Sequence, residues 1–132
     1  GVLIGPARWI GELDKLRLPY NVNTLTQLIA IEVLEHDSVL TEQAAAIKLE
    51  RGRLLRELQR VPGVKAYPSE ANFILFKVSQ AGRVFDALKQ RGVLIKNLHG
   101  SHRLLADCLR VTVGTPDENA AFLSALTRSV NA

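Results

Sequence analysis

The feature that most restricts the fold of this chain is a long helical pattern that stops at Pro62 and Gly63. Proline lacks the N–H that a helix interior needs, and a Pro-Gly pair favours a turn. Before this break, apolar residues recur at helical spacing from about Ser38 to Arg60, in a stripe interrupted at Arg51. The stripe consists of Leu40, Ala44, Ile47, Leu54 and Leu58. We therefore predict a helix over residues 38–60 that separates two unlike parts of the chain.

The part that follows the break, residues 61–132, is predicted to form a compact α+β domain. Short apolar runs bounded by turn residues are typical of strands, and longer amphipathic stripes are typical of helices. The predicted strands are Val64–Tyr67, Phe73–Val78, Val93–Ile95 and Leu109–Val113. One helix is predicted from Ala81 to a stop at Gly92. The last helix follows Thr115, because a proline stands at its first position and Glu118 completes a capping box.

The part before the long helix, residues 1–37, is not a domain by itself. Val2–Ile4 is predicted to be a buried strand, and two helices follow it, the second begun by the capping-box spacing of Thr24 and Gln27. One strand and two helices cannot close a core alone. The chain also has no methionine, and it opens on an apolar run typical of the middle of a strand. We therefore expect a piece of a longer protein.

The composition is that of a globular protein, with 47% apolar and 23% charged residues in a chain of 132. No apolar run reaches the ~18–20 residues that span a bilayer, and no leader pattern is present, so neither a membrane nor secretion is indicated. The net charge of +4 is spread along the chain and only 5% of residues are aromatic, which disfavours a nucleic-acid partner. The lone Cys108 fits a reducing compartment, and we expect a cytoplasmic protein.

Arg110 is the strongest candidate for a binding residue. In the string LRVTV, strand alternation places three apolar residues on one face and Arg110 and Thr112 on the other. A guanidinium among apolar neighbours is costly unless it is paired, and its planar fork matches a carboxylate or a phosphate. The pattern therefore indicates a clamp for an anion. The alternative is an edge strand, with Arg110 in water or paired with a nearby glutamate.

Four further residues are weaker candidates. Lys96 ends a predicted strand and could add a second positive charge for a phosphate, although a solvated lysine has the same pattern. Tyr20 and Asn21 follow a proline in a loop, and loop residues often face ligands. Asn72 precedes the strand that begins at Phe73, where it could bond a neighbouring side chain or merely begin the strand.

The patterns for other chemistry are missing or incomplete. His99 and His102 lack a third metal ligand at usable spacing, and Cys108 is most simply a small buried hydrophobe. Neither common glycine-rich phosphate loop is present, and no Ser-His-Asp pattern occurs. The residues alone indicate an α+β domain with an anion-binding arginine, and no metal site.

Four strings taken together carry a resemblance to a known family. They are LDKLRLPYNVNTLTQ, LERGRLLRELQRVPGVKAYPSEANFILFKV, GVLIKNL and CLRVTVGTPDENAAFLSAL. In order and spacing they resemble the C-terminal third of the histidinol-phosphate aminotransferases, which are pyridoxal-phosphate transaminases of fold type I that work in histidine biosynthesis. The resemblance runs from Gly1 to Ala132, and PYNVN and LRVTVGTPDEN are its most specific parts.

The resemblance implies roles for the candidate residues. It matches Arg110 to the arginine that grips the carboxylate of glutamate or 2-oxoglutarate and meets the phosphate of histidinol phosphate. Lys96 stands where arginine is more usual, which keeps the charge and loses the fork. We group Asn72 with these two as a substrate-binding residue. Tyr20 and Asn21 match a loop near the active site, across the interface of a homodimer.

The resemblance also implies a domain division and a cofactor. Residues 1–37 would be a remnant of the large cofactor-binding domain, residues 38–60 the interdomain helix and residues 61–132 the small C-terminal domain. The Schiff-base lysine would precede Gly1, so we expect no catalytic residue here, and neither tight binding of pyridoxal phosphate nor transamination by the chain alone. The alternatives are an aromatic-amino-acid aminotransferase, a phosphothreonine decarboxylase of the same fold, or a non-catalytic α+β domain that binds a small molecule.

Overall fold

The computed structural model describes residues 3–18 and 21–130. The chain divides into two compact units, Gly1–Leu40 and Thr41–Ala132. The division into three parts, with limits at residues 37 and 60, stays a prediction. None of the helices in the described ranges is long and apolar enough to cross a membrane.

The first unit consists of helical segments. Helix α1 is Ala7–Asp14 and helix α2 is Thr24–Glu35. The cap of α2 is Asn23, one residue before the predicted Thr24, and its Oδ1 accepts a hydrogen bond from Thr26 N at 2.8 Å. Asparagine caps a helix at least as well as threonine, which explains the shift. The predicted strand Val2–Ile4 is wrong for its described part, because residues 3–6 pair with no strand and Ile4 is 92% exposed.

The long helix α3 is Asp37–Arg60, which confirms the predicted helix. Its Leu54 and Leu58 are completely buried, whereas Leu40 and Ile47 on the same stripe are exposed. Only the C-terminal half of the stripe therefore packs into the described core. The turn after the helix contains Gly63 with a φ of +77°, a conformation that favours glycine.

The second unit contains a four-stranded antiparallel sheet in the order β1-β2-β4-β3. The strands are Val64–Ala66 (β1), Phe73–Val78 (β2), Lys96–Asn97 (β3) and Cys108–Thr112 (β4). The third strand lies at residues 96–97 and not at the predicted Val93–Ile95. The reason is that Val93 N donates to Leu88 O at 3.0 Å, which keeps that segment in the turn after a helix. Because β4 lies between two strands, the edge-strand alternative for Arg110 is wrong.

The helices of this unit complete an α+β fold, which confirms the predicted class. Helix α4 is Ala81–Gln90, helix α5 is Pro116–Val130, and a short 3-10 turn covers Arg103–Leu105. The predicted capping box begins α5: Thr115 N donates to Glu118 Oε2 at 2.8 Å, and Glu118 N donates to Thr115 Oγ1 at 3.3 Å. A Cβ at Gly114 would stand 2.6 Å from Glu118 Oε2, so this close approach favours glycine.

The hydrophobic core lies between one face of the sheet and the helices. Alternate residues of the two inner strands enter it, namely Ile74, Phe76, Val78, Leu109 and Val111. The rings of Phe76 and Phe122 meet with their centroids 6.0 Å apart, which ties β2 to α5. The residues between these core positions turn to the opposite face of the sheet. That face carries Phe73, Leu75 and Arg110, all half-buried.

Candidate functional site

Arg110 projects from the face of the sheet opposite the core. Its chain neighbours Leu109 and Val111 are buried in the core, so strand alternation turns the arginine the other way. Across the sheet it lies directly opposite Leu75 on β2 and Lys96 on β3. Because strands lie on both sides of it, Arg110 is half-buried rather than free in solvent.

Among the residues that the structure describes, no acidic side chain neutralises the charge of Arg110. Within residues 3–18 and 21–130, no aspartate or glutamate forms an ion pair with it, so the alternative pairing with a nearby glutamate is wrong for this part of the chain. Its Cζ lies 4.8 Å from the centroid of the Phe73 ring instead. Its Nε is buried and has no hydrogen-bond partner there. A half-buried guanidinium with unused donors is suited to binding an anion.

Lys96 brings a second positive charge to Arg110. The two residues are cross-strand partners of β3 and β4, which places their Cβ atoms about 4.5–5.5 Å apart on the same face. Like charges directly opposite each other repel, and an anion between them would remove that repulsion. Lys96 is exposed. It also borders a cavity of about 610 Å³, but that cavity is lined by the core residues Val111 and Phe122 and not by Arg110, so it is separate from this pair. The arrangement is therefore able to hold an anionic group at the outer side of β4.

The remaining predicted site residues are placed differently. Asn72 is exposed, and its main-chain oxygen accepts a hydrogen bond from Val113 N at 2.8 Å, which extends the pairing of β2 with the end of β4. Asn21 lies in the first unit, where its Oδ1 accepts from Arg17 Nη1 at 3.0 Å. Tyr20 lies outside the described residues. The structure thus brings together Arg110 and Lys96, and the roles of Asn72, Tyr20 and Asn21 stay predictions.

A cluster of polar groups that joins α3, α5 and the end of β4 was not predicted from the sequence. Asn119 is buried on α5, and its Nδ2 donates to Glu50 Oε2 on α3 and to Gly114 O, both at 2.9 Å. Gly114 N donates back to Asn119 Oδ1 at 3.0 Å. Glu50 also accepts from Arg53, and these bonds hold the pKa of the Glu50 carboxyl below its usual value, those from Arg53 most of all. The signal in the sequence is an asparagine three and seven residues before Phe122 and Leu126, at a core position of the helix.

His99 and His102, in the connection between β3 and β4, accept hydrogen bonds from main-chain N–H groups of the same connection. His99 Nδ1 accepts from Asp107 N at 2.9 Å, and His102 Nδ1 accepts from Leu104 N at 3.2 Å. Over the described ranges, no group of three or more histidine, cysteine, aspartate or glutamate residues is arranged to hold a metal ion. Cys108 is a free, buried cysteine, which confirms its prediction as a small buried hydrophobe.

Comparisons with known proteins agree on one family. The family model described as "Aminotransferase class I and II" matches residues 1–126. Histidinol-phosphate aminotransferase 2 of Nitrosococcus oceani is 58% identical over 128 residues, which are 96% of this chain and 36% of that protein. Histidinol-phosphate aminotransferase 1 of Ralstonia nicotianae is 51% identical over 130 residues, which are 98% of this chain and 35% of that protein. The chain therefore spans about a third of the length of these relatives.

Solved structures share the fold. The histidinol-phosphate aminotransferase of Clostridium acetobutylicum superposes with a TM-score of 0.81 at 23% identity, over 92% of this chain and 37% of that one. The L-threonine-O-3-phosphate decarboxylase of Porphyromonas gingivalis superposes with a TM-score of 0.84 at 21% identity, over 98% of this chain and 41% of that one. At these identities the likeness concerns the fold alone.

Proposed function

Because the chain belongs to the family of class I and II aminotransferases, we propose that it is the C-terminal part of a histidinol-phosphate transaminase. The proposed reaction moves the amino group of histidinol phosphate to 2-oxoglutarate and yields imidazole-acetol phosphate and glutamate. Sequence identity of 58% to a histidinol-phosphate aminotransferase over 96% of the chain supports this assignment. The relatives are about three times as long as the chain, so the reaction is assigned to a longer protein.

In this proposal Arg110 and Lys96 bind the anionic arm of the substrate. One observation carries the assignment: two cations stand directly opposite each other on β4 and β3, and within the described part of the chain neither forms an ion pair with an acid. A carboxylate of glutamate or 2-oxoglutarate, or the phosphate of histidinol phosphate, fits between them. By holding this arm the pair orients the carbon whose amino group is exchanged, which is a positioning contribution to the rate. Asn72 is proposed as a further contact at the same end of β2.

Enzymes of this family in general use pyridoxal phosphate. The cofactor needs an amine for its Schiff base and an acid for its pyridinium nitrogen. The lysine directly opposite Arg110 is Lys96, which is exposed and lies beside another cation, and no described acid is paired with either. The described residues therefore fit the anionic arm of a substrate and not the cofactor, and we assign them no step on it.

The proposal also covers the compartment and the oligomeric state of the enzyme. We propose a cytoplasmic homodimer in which the loop with Tyr20 and Asn21 reaches the active site of the partner subunit. A free buried Cys108 agrees with a reducing compartment. The decarboxylase fold neighbour keeps a phosphothreonine decarboxylase as the second candidate, since it would also need a cationic clamp for a phosphate.

The test uses a chimera in which this chain replaces the matching 128 residues of the Nitrosococcus oceani protein. We expect transamination of histidinol phosphate with 2-oxoglutarate. Arg110→Lys should lower kcat/KM roughly ten- to a hundredfold, because lysine loses the two parallel bonds of the fork. The matched control is Arg91→Lys, an exposed arginine that donates to Ala87 O on its own helix.

Two outcomes would overturn the proposal. Equal kinetics of Arg110→Lys and Arg91→Lys would remove Arg110 from the site. A chimera that transaminates only aromatic amino acids, or that decarboxylates O-phosphothreonine, would reassign the substrate to one of the alternatives.

A further inference from the structure

The aromatic ring beside Arg110 deepens the proposed function. We propose that Phe73 is a positioning residue that holds the Arg110 guanidinium in place of an acidic partner and leaves its outer donors to the ligand. This inference rests on the proposed function, in which Arg110 binds the anionic arm of a substrate. The contact that carries it is the 4.8 Å separation between Arg110 Cζ and the centroid of the Phe73 ring.

The sheet itself brings the two side chains together. Phe73 is paired with Thr112, and Leu75, two residues on, is paired with Arg110, so Phe73 and Arg110 are diagonal neighbours on one face. Diagonal neighbours lie about 7–8 Å apart at Cα, within reach of an aromatic and a long side chain. Phe73 is half-buried and begins the strand, so its ring is a fixed surface for the guanidinium.

An aromatic partner differs from an acidic one in what it leaves free. In the same unit, Arg51 donates from Nη2 to Glu70 at 2.7 Å and from Nη1 to Ala71 O at 3.1 Å, so both of its terminal groups are engaged. A ring attracts the charge through its face and uses no N–H donor. Arg110 therefore keeps its cationic donors, as a residue that must accept an exchangeable ligand requires.

The burial of Arg110 indicates which donors the ligand meets. Within the part of the chain that the structure describes, Nε is the guanidinium nitrogen that is buried without a partner. With Nε enclosed and one face on Phe73, the two Nη groups are the donors that remain for an anion. The ligand is then gripped end-on by the Nη pair, with Lys96 of the adjacent strand on its other side.

The test observes the arginine directly, by ¹⁵N NMR of the Nε–H groups in the 132-residue chain at mildly acidic pH. Loss of one signal in Arg110→Lys assigns the Arg110 resonance. Inorganic phosphate is then titrated into the wild type, Phe73→Leu and Phe73→Trp. The matched control is Phe85→Leu, which removes a half-buried ring of α4 that packs against the same core.

We expect a ring-shifted, slowly exchanging Nε–H signal in the wild type and in Phe73→Trp. In Phe73→Leu its exchange should be about tenfold faster, because the enclosure of Nε opens more often. Phosphate affinity should fall roughly three- to tenfold with the loss of the ring, and Phe85→Leu should change neither quantity. If Phe73→Leu loses its dispersed amide spectrum, Phe73→Met replaces it.

Failure of this inference and failure of the proposed function give different results. Wild-type exchange and affinity in Phe73→Leu, or equal changes in Phe73→Leu and Phe85→Leu, would overturn the positioning role. Absence of a phosphate response in every chain would count against the anion site, and the exchange rates would then decide the positioning role alone.

Discussion

Asn119 on α5 donates a 2.9 Å hydrogen bond to Glu50 on α3, so a buried amide joins two helices that are far apart in the chain. The same amide group pairs with both main-chain groups of Gly114, two residues beyond the end of β4. These hydrogen bonds therefore fix the end of β4 to helix α5.

Replacement of Asn119 by alanine should lower the free energy of unfolding by about 1–3 kcal/mol. The physical reason is that the N–H and C=O of Gly114, which is half-buried, and the carboxylate of Glu50 all lose the buried amide that they bond. Urea denaturation followed by circular dichroism measures the change, and Gln59→Ala at an exposed position of α3 is the control. Equal midpoints for the two variants would show that the amide contributes nothing.

Stability should fall in acid because of Glu50 and Glu118. Hydrogen bonds from Arg53 and Asn119 lower the pKa of Glu50, and those from Thr115 lower the pKa of Glu118, from the usual 4.5. A lowered pKa in the folded state stabilises the fold above pH 4.5, and this contribution is lost as the pH falls through the folded value. Urea midpoints measured across this range should decline less steeply in Glu50→Gln than in the wild type. Matching slopes would contradict the prediction.

Replacement of Lys96 by arginine should strengthen phosphate binding roughly three- to tenfold, because a planar fork replaces a point charge. The measurement is the phosphate titration of the chain, and Lys89→Arg on the exposed side of α4 is the control. An unchanged affinity would mean that Lys96 does not touch the anion, and a weaker affinity would contradict the advantage expected of the planar fork.

Self-association is expected at high concentration. Helix α2 exposes large apolar side chains, of which Leu25 is 67% and Leu34 is 69% accessible. Such contiguous apolar surfaces attract each other in water. Light scattering should show species larger than a monomer, and Leu25→Glu with Leu34→Glu should shift the distribution towards monomer. A monodisperse wild-type monomer at high concentration would be the opposite result.

Pyridoxal phosphate added to the isolated chain should give no stoichiometric aldimine absorbance and no turnover. The described lysine nearest the proposed site is exposed and is not paired with an acid in the described ranges. Titration of the chain with the cofactor, compared with titration of free lysine, measures the effect. A saturable band at one equivalent with transamination would refute this expectation.

The sequence predicted most of the second unit because its signals are local. Alternation located β2 and β4, and the capping box of Thr115 and Glu118 located α5. The failures concern long-range partners. The apolar run Val2–Ile4 is typical of a strand, but a strand needs a neighbouring strand, and its described residues have none. The third predicted strand is displaced because Val93 N donates to Leu88 O in the turn after α4.

The site was predictable only in part for the same reason. Strand alternation indicates Arg110 as a candidate. Its neighbours Lys96 and Phe73, however, come from other strands and depend on the register of the sheet. Phe73 lies 37 positions earlier in the sequence and contacts the guanidinium only because β2 pairs with β4. The buried Asn119 was missed because its partners, Glu50 and Gly114, are joined by the tertiary fold alone.

The register that pairs Phe73 with Thr112 and Leu75 with Arg110 also limits how such a site changes over evolution. A slip of one residue would turn Leu109 and Val111 to solvent and drive the guanidinium among the core side chains. Ligand preference can therefore change in evolution only through substitutions around an arginine whose position is fixed. The same substitutions are the means by which a protein engineer would select a new ligand.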